Sequence, residues 1–258
     1  MWFNGSMTPE RSAHSEPANP VRKRHRMVDR VAGILELAAR NHDGLTLTEL
    51  ARLLDAPLSS LQGLVNGLVA AGYLDEHDRR YRLGGAPYLL NLMAGRHLVT
   101  QVGHQELEAV HADAGLTTLL SVVVGQGVFY VDSCSSTPRY DYLAKNLVRR
   151  SLIRTSSGWV LLAGFARRDL WSYLGSLPAE DDANRERFLN TLETIQETGV
   201  CAAPHISDVA DGVAVAVREG GRTVAAVSVV GPHEEIHSRR DELVDLLTSH
   251  RRRWEQAD

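Results

Sequence analysis

Gly44 to Leu83 reads GLTLTELARLLDAPLSSLQGLVNGLVAAGYLDEHDRRYRL, and this stretch decides the fold of the first third of the chain. Thr46 followed three positions later by Glu49 is a capping box, in which each residue satisfies an orphan donor at a helix start. Leu47, Leu50, Ala51 and Leu54 then recur at helical spacing, and the small Ala51 lets a following helix come close. Asp55-Ala56-Pro57 is a turn, because proline biases the residue before it away from helical torsions. A further helix is predicted over 59–71. Leu61, Leu64, Val65 and Leu68 fall within one arc of ~100°, with Ser59, Ser60, Gln62, Gly63, Asn66 and Gly67 opposite. Two glycines inside a helix each forfeit about 1 kcal/mol against alanine, which close approach to a backbone or another helix would offset. Gly72-Tyr73-Leu74 opens a strand, a polar turn ends in Arg79 and Arg80, and Tyr81-Arg82-Leu83 returns. Helix, turn, helix and wing in this order imply a DNA reader.

Upstream, a helix is predicted over 27–41 from the spacing of Val31, Ile34, Leu35, Leu37 and Ala38, and Gly44 ends it. Residues 1–20 are aperiodic, polar and proline-containing, the composition of a disordered arm. The arm closes in a basic run containing Arg22, Lys23, Arg24 and Arg26. The net charge of −4 argues against coating nucleic acid through charge alone, yet it hides an asymmetry. Residues 20–85 hold 10 Lys/Arg against 8 Asp/Glu, whereas 86–258 hold 17 against 22, so the positive excess lies beside the reader.

Downstream, Gly84-Gly85-Ala86-Pro87 marks a boundary, and a connecting helix is predicted over about 88–98. Helices at about 105–114, 158–165, 168–174, 184–197 and 234–253 alternate with strands at 117–124, 128–133, 213–217 and 223–230. Strands that are nearly continuous Val, Ala and Leu need cover on both faces, so a central sheet flanked by helices is expected. A chain of 258 residues has room for two domains, and no apolar run approaches the roughly 18 residues of a membrane span. The N-terminus lacks an apolar signal core, so the cytoplasm is the expected compartment, with Cys134 and Cys201 as separate reduced thiols.

One motif points elsewhere. His233-Glu234-Glu235-Ile236-His237 satisfies the HExxH pattern of zinc peptidases, which on a helix puts both imidazoles on one face with Glu234 as a base. Gly231-Pro232 places it at a helix start, and no third ligand follows nearby. His97, His104 and His111 recur every seven residues, a spacing of about 10 Å that suits a helical stripe better than a metal site. No nucleophile elbow, P-loop or dinucleotide fingerprint is present. No metal or cofactor is expected, and an enzyme is the minority reading.

The chain resembles the IclR family of bacterial regulators over about 27–252. The resemblance is carried by LTLTELARLLDAPLSSLQGLVNGLVAAGYL, RRSLIRTSSGWVLLA and GGRTVAAVSVVGP. It implies an α+β chain: a disordered arm (1–26), a winged helix-turn-helix (27–85), a linker helix (86–99) and an effector-binding, oligomerising α/β domain similar to GAF or PAS folds (100–258). It also implies a dimer or tetramer on a palindromic operator, answering to a small carboxylated or aromatic metabolite. The chain departs from the family at Gly63, where Arg is common, at Ser151-Leu152-Ile153 in place of Pro-Leu-His, and at Arg218 in place of Pro. A ligand-independent assembly role for the second domain is the alternative.

Phosphate contacts supply affinity and base-edge contacts supply specificity. Arg22, Lys23, Arg24, Arg26, Arg79 and Arg80 suit the first role. Gln62 and Asn66 can each pair with adenine, Ser59 and Ser60 sit near a helix N-terminus that favours phosphate, and Thr46 and Gly63 complete the candidate surface. For the effector, Thr155, Ser156 and Ser157 precede an apolar helix and offer hydroxyls and amide donors to a small anion. Asp132, Tyr140, Tyr142, Asp208 and Ser228 are further candidate contacts.

Overall fold

The computed structural model describes residues 25–94, 99, 101–136, 149–203, 206 and 210–256. Arg22, Lys23, Arg24, His97, Tyr140, Tyr142 and Asp208 lie outside the described residues.

The reader forms from α1 (Arg26–Arg40), α2 (Leu47–Leu53) and α3 (Leu58–Ala70), followed by the hairpin β1 (Leu74–His77) and β2 (Arg80–Leu83). The apolar stripes meet as the periodicity requires: Ile34, Ala38, Leu50, Leu61, Val65 and Leu74 are buried in one cluster. The capping box at α2 is complete, with Thr46 N donating to Glu49 Oε2 at 2.8 Å and Glu49 N donating to Thr46 Oγ1 at 3.3 Å. The bonds that the Glu49 carboxylate accepts from Thr46 N and from the Thr46 hydroxyl hold it below its usual range, with Arg80 and Arg52 adding to the effect. The wing is stitched to the turn before α2, since Leu45 N donates to Tyr81 O and Tyr81 N returns to Leu45 O at 2.8 Å. Gly44 makes this approach with φ +77°, and a Cβ there would stand 3.1 Å from side-chain carbons of both Arg80 and Arg82. The connecting helix α4 (Ala86–Ala94) follows.

The second domain opens with α5 (His104–Ala114) and the hairpin β3 (Thr117–Val124) and β4 (Gly127–Cys134). β5 (Arg150–Ser151), a short 3-10 turn and α6 (Ser156–Ala163) come next, then α7 (Arg167–Gly175) and α8 (Asp182–Thr198). β6 (Val200–Cys201), β7 (Asp211–Glu219), β8 (Arg222–Gly231), α9 (His233–Ser238) and α10 (Arg240–Gln256) complete it. The sheet is antiparallel throughout, in the order β5-β4-β3-β8-β7-β6. The single final helix predicted from sequence is two helices, broken at Arg239, and the edge strands β5 and β6 have no sequence signal because each is two residues long.

The two faces of the sheet differ in side-chain size. Val213, Val215, Val217, Val227 and Val229 project toward α5, α9 and α10. Ala214, Ala216 and Ala226 project the other way, against α6. All eight residues of α6 are buried, the signature of a helix enclosed on every side, and it packs on β7, β8 and α8. Trp159 fills its outer side, edge-on to Phe188 at 5.6 Å, with Nε1 donating to Ile153 O at 2.8 Å. Arg154 fixes the turn before α6 by donating at 2.6 Å to Asp181 and at 2.6 Å to Glu180. On the opposite face buried His250 pairs with Asp113 at 2.8 Å, joining α10 to α5.

A Cβ on Gly158 would run into the Leu152 carbonyl oxygen and stand 2.6 Å from Thr155 Oγ1. Gly158→Ala is therefore expected to destabilise the second domain by about 2 kcal/mol or more, read from the urea midpoint. Burial pushes the His250 imidazole below its ordinary value, against the pull of Asp113. The unfolded chain then takes up the proton first as pH falls through about 6.5, and the stability held above that pH is lost until the folded protein protonates too. The urea midpoint should fall between about pH 7.5 and about pH 5.5, and His250→Gln should flatten the fall.

Candidate functional site

The outer surface of α3 is exposed at Ser59, Gln62, Gly63, Asn66 and Gly67. Gln62 Nε2 donates to Asn66 Oδ1 at 3.1 Å, so the two amides lie side by side one helical turn apart. An added Cβ would meet nothing within 4 Å at either Gly63 or Gly67, which leaves backbone bare beside that pair. Pro57 occupies the N-cap, and Ser60 Oγ donates to Pro57 O at 2.7 Å, so its hydroxyl already serves the chain. Thr46 is likewise engaged, its hydroxyl donating to Glu49 at 2.9 Å within the capping box.

The wing turn is two residues long, Asp78 and Arg79, with φ of 50° and 61°. Hairpin turns of this type normally use Asn-Gly, so an arginine is held at the tip in a conformation L-residues resist. Arg79 is exposed there, and Arg26 is exposed at the start of α1. Arg80 is tied down: it donates to Gly44 O at 2.8 Å and stands 3.7 Å from Glu49. Sequence reasoning passed over Arg82, exposed on β2 and beside Gly44 with Arg80. The period-2 spacing of Arg80 and Arg82 was the available signal.

In the second domain, Thr155 caps α6, its Oγ1 accepting from Gly158 N at 3.0 Å. Ser156 and Ser157 are buried behind it, and Ser156 Oγ lies 3.0 Å from where a Cβ on Gly212 would stand. Ser228 is opposite Leu119 and Ala214, while Ser121 is opposite Ala226, so both serines share the small-residue face that α6 covers. Both hydroxyls are buried, at 1% and 0% exposure, and neither has a hydrogen-bond partner among the described residues.

Asp132 is not with them. A bulge at Leu120/Ser121 shifts the β3–β4 register, setting Asp132 opposite Leu120 and Tyr130 opposite Ser121. Leu120 belongs to the α5 and α10 cluster, and the Asp132 carboxylate accepts from His104 Nδ1 at 3.0 Å on that side. Asp132 therefore lies on the α5 and α10 side of the sheet, and Ser133 takes the place opposite Leu119 that an unbroken register would give to Asp132, while buried Tyr130 stands opposite Ser121.

The HExxH residues sit at the start of α9, a helix of six residues. His233 Nδ1 lies 2.9 Å from Asp211, and Ile236 is buried. Among the described residues no group of three or more His, Cys, Asp and Glu side chains converges as a metal site would. His104 faces Asp132 and Glu108, while His111 Nδ1 donates to Leu116 O at 2.7 Å, so each has a local structural partner. Cys134 and Cys201 are separate buried thiols, and burial pushes Cys201 up to about 12. No helix among the described residues is long and apolar enough to cross a membrane.

Two family models match: the IclR helix-turn-helix domain over residues 27–78 and the bacterial transcriptional regulator IclR C-terminal domain over residues 92–253. Comparison with curated proteins found no match. Among solved structures, an IclR homologue from Microbacterium hydrocarbonoxydans, complexed with 4-hydroxybenzoate, is 25% identical with a TM-score of 0.67, covering 90% of this chain and 100% of that one. An IclR family transcriptional regulator from Brucella abortus is 17% identical with a TM-score of 0.66, covering 92% and 93%. An IclR regulator from Alicyclobacillus acidocaldarius is 21% identical with a TM-score of 0.61, covering 90% and 99%. A helix-turn-helix reader and an effector-binding domain are thus joined in one polypeptide, and the chain belongs to the IclR family of transcriptional regulators.

Proposed function

We propose that the chain is a ligand-responsive regulator that binds a palindromic operator as a dimer or tetramer in the bacterial cytoplasm. The observation that carries the DNA reading is the outer face of α3, where the Gln62–Asn66 amide pair stands exposed beside bare backbone. Amides reach adenine edges, and Gly63 and Gly67 let the helix seat deeply in a major groove. With no charge on α3, phosphate attachment falls to Arg79 at the wing tip, to Arg82 and Arg26, and to the basic arm.

Self-association is supported by apolar side chains left in solvent. Tyr88, Leu89, Leu90 and Met93 on α4 are exposed, as are Met27 and Val28 at the start of α1. Apolar exposure of this kind marks an interaction surface. A second copy packed there gives a two-fold dimer, whose symmetry matches a palindrome.

For the effector, the orphan hydroxyls of Ser121 and Ser228 beside the capped start of α6 support a small ligand with hydrogen-bonding groups. The 4-hydroxybenzoate held by the Microbacterium homologue fits that chemistry, and we assign the same class here, a small carboxylated or aromatic metabolite. Thr155, Ser156 and Ser157 with Tyr130 complete the proposed contacts, and Tyr140, Tyr142 and Asp208 remain proposed from sequence.

Gln62→Ala or Asn66→Ala is expected to cost about 1–3 kcal/mol on the operator and little on random duplex, whereas Arg79→Ala weakens both and lowers the salt slope by about one unit. Fluorescence anisotropy across a salt series checks this, and equal losses on both duplexes for Gln62→Ala would remove it from the base-reading set. Ser228→Ala deletes a buried hydroxyl without a partner, so the thermal midpoint should hold or rise while ligand-induced stabilisation disappears. A thermal-shift panel of aromatic and aliphatic carboxylates reads both. Loss of stability with an unchanged ligand response would place Ser228 in the core alone.

A further inference from the structure

A groove of about 580 Å³ runs between α8 and α10 over β6, the last strand of the sheet and on the far side of it from β5. Its floor is apolar, made by Ile195, Val200, Ala202 and Val244. Helical geometry fixes its walls. Thr191, Thr194 and Thr198 recur three and four apart on α8 and share one face. On α10, Arg240, Val244, Thr248 and Arg251 do the same, which sets the two arginines about 16 Å apart along the helix.

The two arginines differ in what they already hold. Arg251 donates to Thr198 O at 2.6 Å and Arg218 to Gln196 O at 3.2 Å, so together they cap the C-terminal carbonyls of α8. Arg251 thus closes one end of the groove as part of the frame. Arg240 is exposed and makes no hydrogen bond or ion pair among the described residues. Glu197 and Asp241 also line the groove and repel anions in proportion to their charge, so a polyanion such as a nucleotide is disfavoured far more than a single carboxylate seated at the Arg240 end.

We propose that this groove is a second small-molecule site, separate from the serine-lined face of the sheet, and that it takes an amphipathic monocarboxylate. The carboxylate pairs with the Arg240 guanidinium, the aliphatic chain lies along Val200, Ala202 and Val244, and the threonine hydroxyls border it. This inference stands apart from the effector reading above and does not rest on it.

Isothermal titration of the full chain with decanoate, below its micelle-forming concentration, tests it. Saturable binding to one site per chain is expected, weakened about tenfold or more by Arg240→Gln and by replacing decanoate with decanol. Thr194→Trp, an exposed position on the groove wall, should abolish it, and Ser228→Ala should leave it unchanged. Absence of saturable binding up to about 1 mM overturns the proposal, as does binding that survives both Arg240→Gln and Thr194→Trp. Binding that survives Thr194→Trp but is lost in Ser228→Ala moves the ligand to the sheet face, which overturns this site and leaves the effector reading standing.

Discussion

The second domain depends on the contact between a helix that is buried all round and a sheet face stripped to small residues. α6 can lie against β7 and β8 because Ala214, Ala216 and Ala226 hold the surface flat, and Gly212 opens a gap for the Ser156 side chain. Gly158 lets the same helix press on the turn before it, and Gly164 lets its end press on Thr223. The other face of the same strands carries valines, which pack against Leu107 and Val110 of α5 and Leu243 and Leu247 of α10. From this one asymmetry follow the position of the Thr155 cap, the depth of Ser156 and Ser157, and the enclosure of two serine hydroxyls that no backbone group satisfies. Buried polar groups without partners each cost free energy, and they persist where a ligand or function recovers it.

In the reader the governing constraint is different. Leu45 and Tyr81 exchange backbone bonds, Arg80 reaches Gly44, and Glu49 links that arginine to the start of α2. Wing and helix-turn-helix are therefore joined at one node. A cation that sequence assigns to phosphate is in part a rivet of the frame, while the cation at the wing tip, Arg79, is set outward by a strained turn. Strain of that kind commonly marks a functional position.

Local chemistry was legible in the sequence and long-range register was not. The capping box at Thr46 and Glu49 and the apolar stripes of α1 to α3 follow from spacings of three and four residues, whereas the polar run from Asp75 to Arg80 reads as a turn and proves to be strand on either side of Asp78 and Arg79. Helix α6 was legible as apolar but not as wholly enclosed, because the alanines that admit it lie more than fifty residues further on, on β7 and β8. The side of the sheet on which Asp132 lies was hidden for a related reason. One bulge between Leu120 and Ser121 exchanges which residues of β4 face which side, and no residue of VVVGQGVFYVDSC announces it. Ser121 reads as one polar residue in an apolar strand, and only burial and an absent partner single it out.

The bare backbone at Gly63 and Gly67 also bears on how this reader can diverge. Most surface positions of a packed protein are coupled to some neighbour, so a new side chain disturbs the old fold while it tries out a new contact. Here a Cβ added at either glycine meets nothing of its own chain within 4 Å, and replacing glycine by alanine gains about 1 kcal/mol of helix propensity. Positions 63 and 67 are thus two places on the outer face of α3 where the surface can be rewritten at its first side-chain atom without disturbing the packing beneath.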